Sequence, residues 1–207
     1  MISVLVTSAG IIHPSLRARR CLLREIEKAG DVSITRASSM EEAASLLTRP
    51  FDVLVLYLHR REISGRALEA LDAFVSRGGG LMAVHSASAS FKTCARYHEI
   101  LGGRFTGHGK VEPYEVRRSA GADLSAGSVE GFTVHDELYI HEYSDDVTVQ
   151  YYTSHDGRME PVVWTRTHGR GHVFYCSLGH LASSFQNEPV AAVLRNGLVW
   201  AAAGRRS

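Results

Sequence analysis

Apolar residues follow two different rhythms along this chain. In the first hundred residues, short continuous apolar runs alternate with segments whose apolar positions recur every three or four residues. The runs are Ile2–Val6, Val32–Thr35, Asp52–Leu58 and Leu81–Val84, and each reads as a buried strand. Between them, Leu16, Leu22, Leu23 and Ile26 share a helical face behind Pro14 and Ser15. Ser39 with Glu42 forms a capping box ahead of Ala43, Ala44, Leu46 and Leu47. Ser64 heads a third helix, marked by Ala67, Leu68, Leu71, Phe74 and Val75 and ended by Gly78-Gly79-Gly80. Such alternation predicts a parallel sheet covered by helices on both faces.

The second half changes rhythm. Val111–Arg117, Val147–Thr153, Val162–Thr167 and His172–Cys176 are strand-like, and the last two flank a turn with Gly169 and Gly171 that suggests a hairpin. Glu188 and Pro189 open a final helix with Val190, Val193, Leu194, Gly197, Leu198 and Ala201 on one face. The expected fold is α/β and doubly wound, with a mainly parallel sheet flanked by helices and an antiparallel β extension inserted after the fourth strand. With no internal repeat and no long linker, residues 1–207 read as a single domain.

Against that frame of strands the histidines stand out. His13 lies in the loop after the first strand, His59 directly follows the third, His85 the fourth, and His180 follows Val173–Leu178 and Gly179. In a parallel sheet these positions gather at the carboxyl edge, where open α/β sheets bind ligands. Imidazole transfers protons near neutral pH and is a common metal ligand.

Composition narrows the partners. The 207 residues are 44% hydrophobic and 22% charged, with a net charge of +1, so no basic excess marks a nucleic-acid protein. Cys21, Cys94 and Cys176 form no CxxC motif or disulfide framework and suit a reducing compartment. No apolar run approaches the roughly 18 residues that span a bilayer, and the opening lacks the charged and apolar regions of a signal peptide. The expectation is a cytoplasmic protein that binds neither nucleic acid nor membrane.

Ala83-Val84-His85-Ser86-Ala87 has the composition of a strand entering a sharp turn and then a helix, which would lift His85 or Ser86 above the sheet. The competing reading is a helix cap by Ser86 beside a hydrogen-bonded histidine. His108 in Thr106-Gly107-His108-Gly109 marks either close backbone approach to a ligand or an ordinary turn. His13 completes the site or caps the first helix, and His59, beside Arg60, Arg61 and Glu62, also reads as part of a solvated charged turn. Asp136-Glu137-Leu138-Tyr139 is expected between two β segments; Glu137 would orient a histidine or act as general base, or else belong to a surface acidic turn. His135, His141, His155, His168 and His172 read as exposed or packing. None of the cysteines follows a strand at an elbow, and GxSxG, GxGxxG and P-loop motifs are missing, which argues against a cysteine nucleophile, an α/β-hydrolase and the usual nucleotide sites.

Taken in order, several segments resemble the ThuA (trehalose utilisation) family. They are Gly79-Gly80-Leu81-Met82-Ala83-Val84-His85-Ser86 with Phe91, Leu101-Gly102-Gly103, Gly107-His108, Asp136-Glu137-Leu138-Tyr139, Pro161–Trp164, Gly169–Tyr175, Leu178-Gly179-His180 and Asn196–Ala201. The resemblance spans nearly the whole chain. It implies a flavodoxin-like core similar to class I glutamine amidotransferases, whose elbow carries a cysteine and whose partner histidine follows a later strand. Here those positions hold His85 and His180, so thioester chemistry is not available. The resemblance also implies a substrate among sugars or keto-sugars related to trehalose.

Three functions follow. The first is an enzyme acting on a sugar or keto-sugar, with His85, His180 and Glu137 as catalytic residues and His13, Ser86, His108, Tyr139 and Phe185 contacting substrate. The second is a divalent-metal-dependent hydrolase or isomerase, in which the histidines and Glu137 would hold Zn²⁺ or a similar ion, although no local HxxxH spacing supports it. The third is a non-catalytic sugar-binding module. A homo-oligomer is compatible with all three.

Overall fold

The apolar runs form strands that divide their side chains between two cores. In this computed structural model, which describes residues 1–8, 14–124 and 129–204, the strands are β1 (Ile2–Thr7), β2 (Val32–Ala37), β3 (Val53–Leu56), β4 (Gly80–Val84), β5 (Gly103–Arg118), β6 (Gly131–Tyr143), β7 (Thr148–His155), β8 (Arg158–His168) and β9 (Gly171–Cys176). The helices are α1 (Leu16–Glu27), α2 (Met40–Leu46), α3 (Gly65–Ser76), α4 (Ala95–Leu101) and α5 (Glu188–Ala203). Val4, Val6, Val53, Val55, Met82, Val84, Phe174 and Cys176 face α1 and α5. Their neighbours Leu5, Leu54, Leu56, Leu81, Ala83, Val173 and Tyr175 face α2, α3 and α4. A strand covered on both sides needs apolar residues at every position, which is why these segments read as continuous runs rather than alternations.

Local chemistry starts the helices where the sequence suggests. Ser15, Ser39 and Ser64 accept hydrogen bonds from the N–H groups of Ala18, Glu42 and Ala67. The capping box ahead of α2 is shifted by one residue, since Glu42 accepts from the N–H and hydroxyl of Ser38. Asn187 caps α5, with Pro189 in its first turn.

Nine strands make one sheet in the order β2-β1-β3-β4-β9-β8-β7-β5-β6. Pairings from β2 to β9 are parallel and the remaining pairings antiparallel. The sheet is therefore half antiparallel, not mainly parallel. The β extension does lie between β4 and β9 in sequence, but it continues the same sheet beyond β9. The β8–β9 hairpin forms as expected around residues 168–171.

Two segments depart from the sequence reading. Asp136–Tyr139 does not join β segments; it lies inside β6, a 13-residue strand. His108 is not in a turn either. It belongs to the 16-residue β5, where the register with β6 shifts between Phe105 and Gly107 and again between His108 and Val111. Such bulges bend a strand and re-aim its side chains. Among the described residues, no helix is long and apolar enough to cross a membrane.

Candidate active site

Three elements deliver the site. β4 ends at Val84 and leads directly into His85, whose φ of 46° lies in the left-handed region and which opens a single turn of 3₁₀ helix (His85–Ala87). The elbow is therefore real, but the helix behind it is one turn long, and α4 begins only at Ala95. β9 ends at Cys176 and leads through Gly179 to His180. β6 supplies Asp136, Glu137 and Tyr139.

His85 is buried and its orientation is fixed. Its Nδ1 lies 2.7 Å from the carbonyl oxygen of Ser177, on the neighbouring segment after β9. A carbonyl only accepts, so Nδ1 carries a proton and donates it. The neutral ring then has its lone pair on Nε2. Tyr139 packs on the face of the imidazole, ring centroids 4.1 Å apart, and His180 meets it edge-on at 5.5 Å. One donor atom from each of His85, Glu137 and His180 lies within 4.8 Å of the other two.

Glu137 joins the two sides of the site. Its Oε2 lies 3.1 Å from Nδ1 of His180 and its Oε1 3.1 Å from Nδ1 of His108. His108 Nδ1 also lies 2.9 Å from the carbonyl of Gly109, so this nitrogen is the protonated one and donates to Gly109, with Glu137 Oε1 beside it at ion-pair distance. Exposure rises across the cluster, from buried His85 to side-chain values of 14% for Glu137, 18% for His180 and 53% for His108. His108 forms the solvent rim. Phe105 lies between His108 and Tyr139, 4.5 Å from the Tyr139 ring, and gives the rim an aromatic wall.

A buried carboxylate holds the His180 loop. Asp136 is fully buried and accepts hydrogen bonds from the N–H groups of Gly179 (2.6 Å), Glu137 (2.9 Å) and Leu181 (3.3 Å). Burial pushes its carboxyl above the usual range, and the backbone donors oppose that rise. The Tyr57 hydroxyl donates to the carbonyl of Gly179 from the other side. Gly179 itself has a φ of +124°, and a Cβ there would lie 2.6 Å from the Phe185 ring. Phe185, expected to touch substrate, is thus buried beneath Gly179 and edge-on to Tyr57; it supports the loop from behind.

A second buried network supports the elbow. The Tyr175 hydroxyl donates to the carbonyl of His85 (3.0 Å) and lies 2.7 Å from Ser88 Oγ and 3.1 Å from Nε2 of His141. His141 donates through Nδ1 to Glu160 (3.1 Å), and burial lowers its pKa although Glu160 pulls the other way. His141 is therefore more than a packing residue. Its signal was faint in the sequence, because a histidine two residues beyond Tyr139 on β6 is informative only once the strand is known.

The remaining candidates divide. Ser86 is buried at the elbow, and its hydroxyl has no hydrogen-bond partner among the described residues. His59 is exposed beside a groove lined by Arg60, Arg61, Glu62, Lys92 and Thr93, apart from the three-residue cluster. His13 lies outside the described residues. None of the cysteines faces the site as a nucleophile would: Cys176 is buried in β9, and burial pushes its thiol up to about 12.

This order of elements carries a family signature. The family model for trehalose utilisation (ThuA) matches residues 3–201. The chain belongs to the ThuA family. A ThuA-like protein from Parabacteroides merdae is similar in structure, with a TM-score of 0.84, 18% identity, and coverage of 99% of this chain and 91% of that one. A second ThuA-like protein, from Bacteroides uniformis, gives 0.74 at 14% identity over 94% and 89% of the two chains. A β-galactosidase from Bacillus circulans contains a similar fold in 31% of its length, with a TM-score of 0.66 at 11% identity over 99% of this chain. No curated protein sequence matches this ThuA chain.

Proposed function

We propose that this ThuA-family protein is an enzyme of sugar metabolism that moves protons on a sugar or keto-sugar at the His85–Glu137–His180 site. The observation carrying the reading is the placement of Glu137 3.1 Å from His180, with His85 joining the same 4.8 Å cluster. A keto-sugar has a weakly acidic C–H beside its carbonyl. Removing that proton needs a base near neutral pH and a donor for the enediolate oxygen. His85, with Nδ1–H tied to Ser177, presents Nε2 as the base. His180, with its Nδ1 3.1 Å from Glu137, is the matching acid. The aromatic wall of Phe105 and Tyr139 suits the apolar face of a sugar ring.

The family name supports the substrate class, and the sugar-cleaving neighbour of similar fold is consistent with it. The strand order β2-β1-β3-β4-β9 and the elbow after β4 support kinship with flavodoxin-like cores and class I glutamine amidotransferases. Histidine at the elbow separates this protein from their thioester chemistry.

The test is solvent deuterium incorporation. A trehalose-derived keto-disaccharide incubated with the protein in D₂O should exchange the proton beside its carbonyl, read by NMR. His85→Ala and His180→Ala should each slow exchange by at least 100-fold while retaining native circular dichroism. Equal exchange by both variants and the parent would refute the assignment. Tight binding without exchange would favour a sugar-binding module.

A further inference from the structure

The geometry points to a binding site for a divalent first-row transition-metal ion, with His85, Glu137 and His180 as its protein ligands. The inference rests on the reading above for the place of the site and its substrate class only, because with an ion bound the His85 and Glu137–His180 donor atoms are ligands and not the proton-transfer pair; the binding itself stands on the donor set. Four observations carry it.

The first is convergence. Donor atoms from the turn after β4, from β6 and from the loop after β9 come within 4.8 Å of one another, and the Glu137–His180 pair approaches to 3.1 Å. Ligands at about 2.1 Å from one ion stand roughly 3.0–3.4 Å apart at octahedral or tetrahedral angles. One edge of the triangle is already at that spacing, and the remaining donor pairs lie within 4.8 Å.

The second is the tautomer of His85. Metal-ligating histidines characteristically donate their other ring N–H to a carbonyl or carboxylate, which fixes the ring and directs a lone pair at the ion. His85 does this through Nδ1 and the Ser177 carbonyl, in a buried position where the ring cannot swing away.

The third is the support of the carboxylate. Glu137 has its Oε1 3.1 Å from His108 Nδ1, whose N–H donates to Gly109 O, while Oε2 faces His180. One oxygen is thus oriented from the rim and the other is turned into the cluster. His108 is a positioning residue on this account, not a ligand.

The fourth is charge. Two imidazoles and one carboxylate carry −1 when the rings are neutral, so a dication leaves the centre at +1 in a partly enclosed setting. The two rings stand 5.5 Å apart edge to face, and neutral imidazole is the form that ligates. Imidazole with carboxylate suits zinc, manganese or iron(II), and three protein ligands leave positions open for water or for the carbonyl and neighbouring hydroxyl of a keto-sugar.

The experiment uses the full chain, stripped with chelator and titrated with Zn²⁺ by calorimetry. One strong site per chain is expected. Glu137→Gln and His180→Ala should each weaken it by at least 100-fold, and His108→Ala by about 10-fold, the usual cost of losing an outer-shell partner. Co²⁺ in place of Zn²⁺ should give a visible d–d spectrum that disappears in Glu137→Gln. Circular dichroism checks that each variant is folded. No binding, or binding that survives unchanged in the Glu137→Gln/His180→Ala double variant, would overturn the site and assign any zinc uptake to surface histidines. Deuterium exchange by stripped protein with no zinc site would overturn the metal inference and leave proton transfer standing. A zinc site without exchange would do the reverse.

Discussion

Removing the carboxylate of Asp136 should damage the site from beneath. Asp136→Ala deletes the acceptor for the Gly179, Glu137 and Leu181 N–H groups, two of which bond at 2.6 and 2.9 Å. Hydrogen bonds to a charged group contribute about 1.5–3 kcal/mol each. The two short bonds therefore contribute roughly 3–6 kcal/mol gross. Burying the carboxylate costs part of this, as the upward displacement of its pKa indicates. The net expectation is a loss of about 2–4 kcal/mol. For a chain of this length that corresponds to a fall in Tm of roughly 5–15 °C. The functional loss should exceed the structural one, because the freed N–H groups flank His180. Asp136→Asn sharpens the test: its amide keeps the shape but turns an NH₂ toward at least one backbone donor whichever way it is oriented. Thermal melts and zinc affinity measured on both variants decide. A Tm within 1 °C of the parent in Asp136→Ala, with unchanged zinc affinity, would refute the claim that this carboxylate builds the His180 loop.

Three further outcomes are expected. Gly179→Ala places a Cβ 2.6 Å from the Phe185 ring at a φ of +124°, so it should cost at least about 2–3 kcal/mol in urea unfolding, and Phe185→Ala should partly relieve the clash. Native protein should react with about one equivalent of a thiol reagent, at half-buried Cys94, whereas Cys21 and Cys176 are buried and should react only on unfolding; rapid labelling of Cys176 would contradict a thiol raised to about 12. Because burial lowers the pKa of His141 in the fold, the unfolded chain takes up the proton first as pH falls; the stability is complete above the unfolded value near 6.5 and is lost below it by up to about 1.4 kcal/mol per pH unit. His141→Gln should lose that part of the acid slope, and identical slopes below pH 6.5 would exclude the assignment.

How much of this could be read from the residues alone differs between the two halves. Strands β1, β3 and β4 and the serine caps of α1, α2 and α3 are set by local pattern, because β3 and β4 are buried at every position, β1 at residues 4–7, and each cap satisfies an orphan N–H group within three residues. The edge pair β5–β6 was only partly visible. Gly107, Gly109 and Pro113 interrupt the β5 pattern, and β6 carries Asp136 at an inward position where an apolar residue would announce a strand. That inward carboxylate is what the site needs, so the feature that hid the strand is the one that holds His180. Glu137, His85 and His180 were legible through strand ends and the Asp-Glu-Leu-Tyr motif. Phe185 lies beneath a glycine turn, and nothing local in the sequence distinguishes such an aromatic from one beside a ligand. The Ser88–Tyr175–His141–Glu160 network joins residues up to 87 positions apart and becomes visible only in three dimensions.

That network also explains how the elbow persists. A histidine at a φ of 46° costs about 1–3 kcal/mol and relaxes unless its surroundings over-determine it. His85 is held from both ends: its ring by the Ser177 carbonyl, and its own carbonyl by the Tyr175 hydroxyl, which the Ser88 and His141 side chains flank. Tyr175→Phe is therefore the most discriminating single change. It removes one oxygen from a fully buried position without touching the His85 ring. It leaves the His85 carbonyl and two network partners short of a bond, at about 1–3 kcal/mol. If the network only fills space, the variant loses stability and keeps its zinc affinity. If it holds the elbow, zinc affinity and deuterium exchange fall together with the stability, because the strained backbone relaxes and carries Nε2 away from Glu137 and His180. Retention of full zinc affinity by a destabilised Tyr175→Phe would separate the buried network from the site and leave the elbow to be explained by β4 and β9 alone.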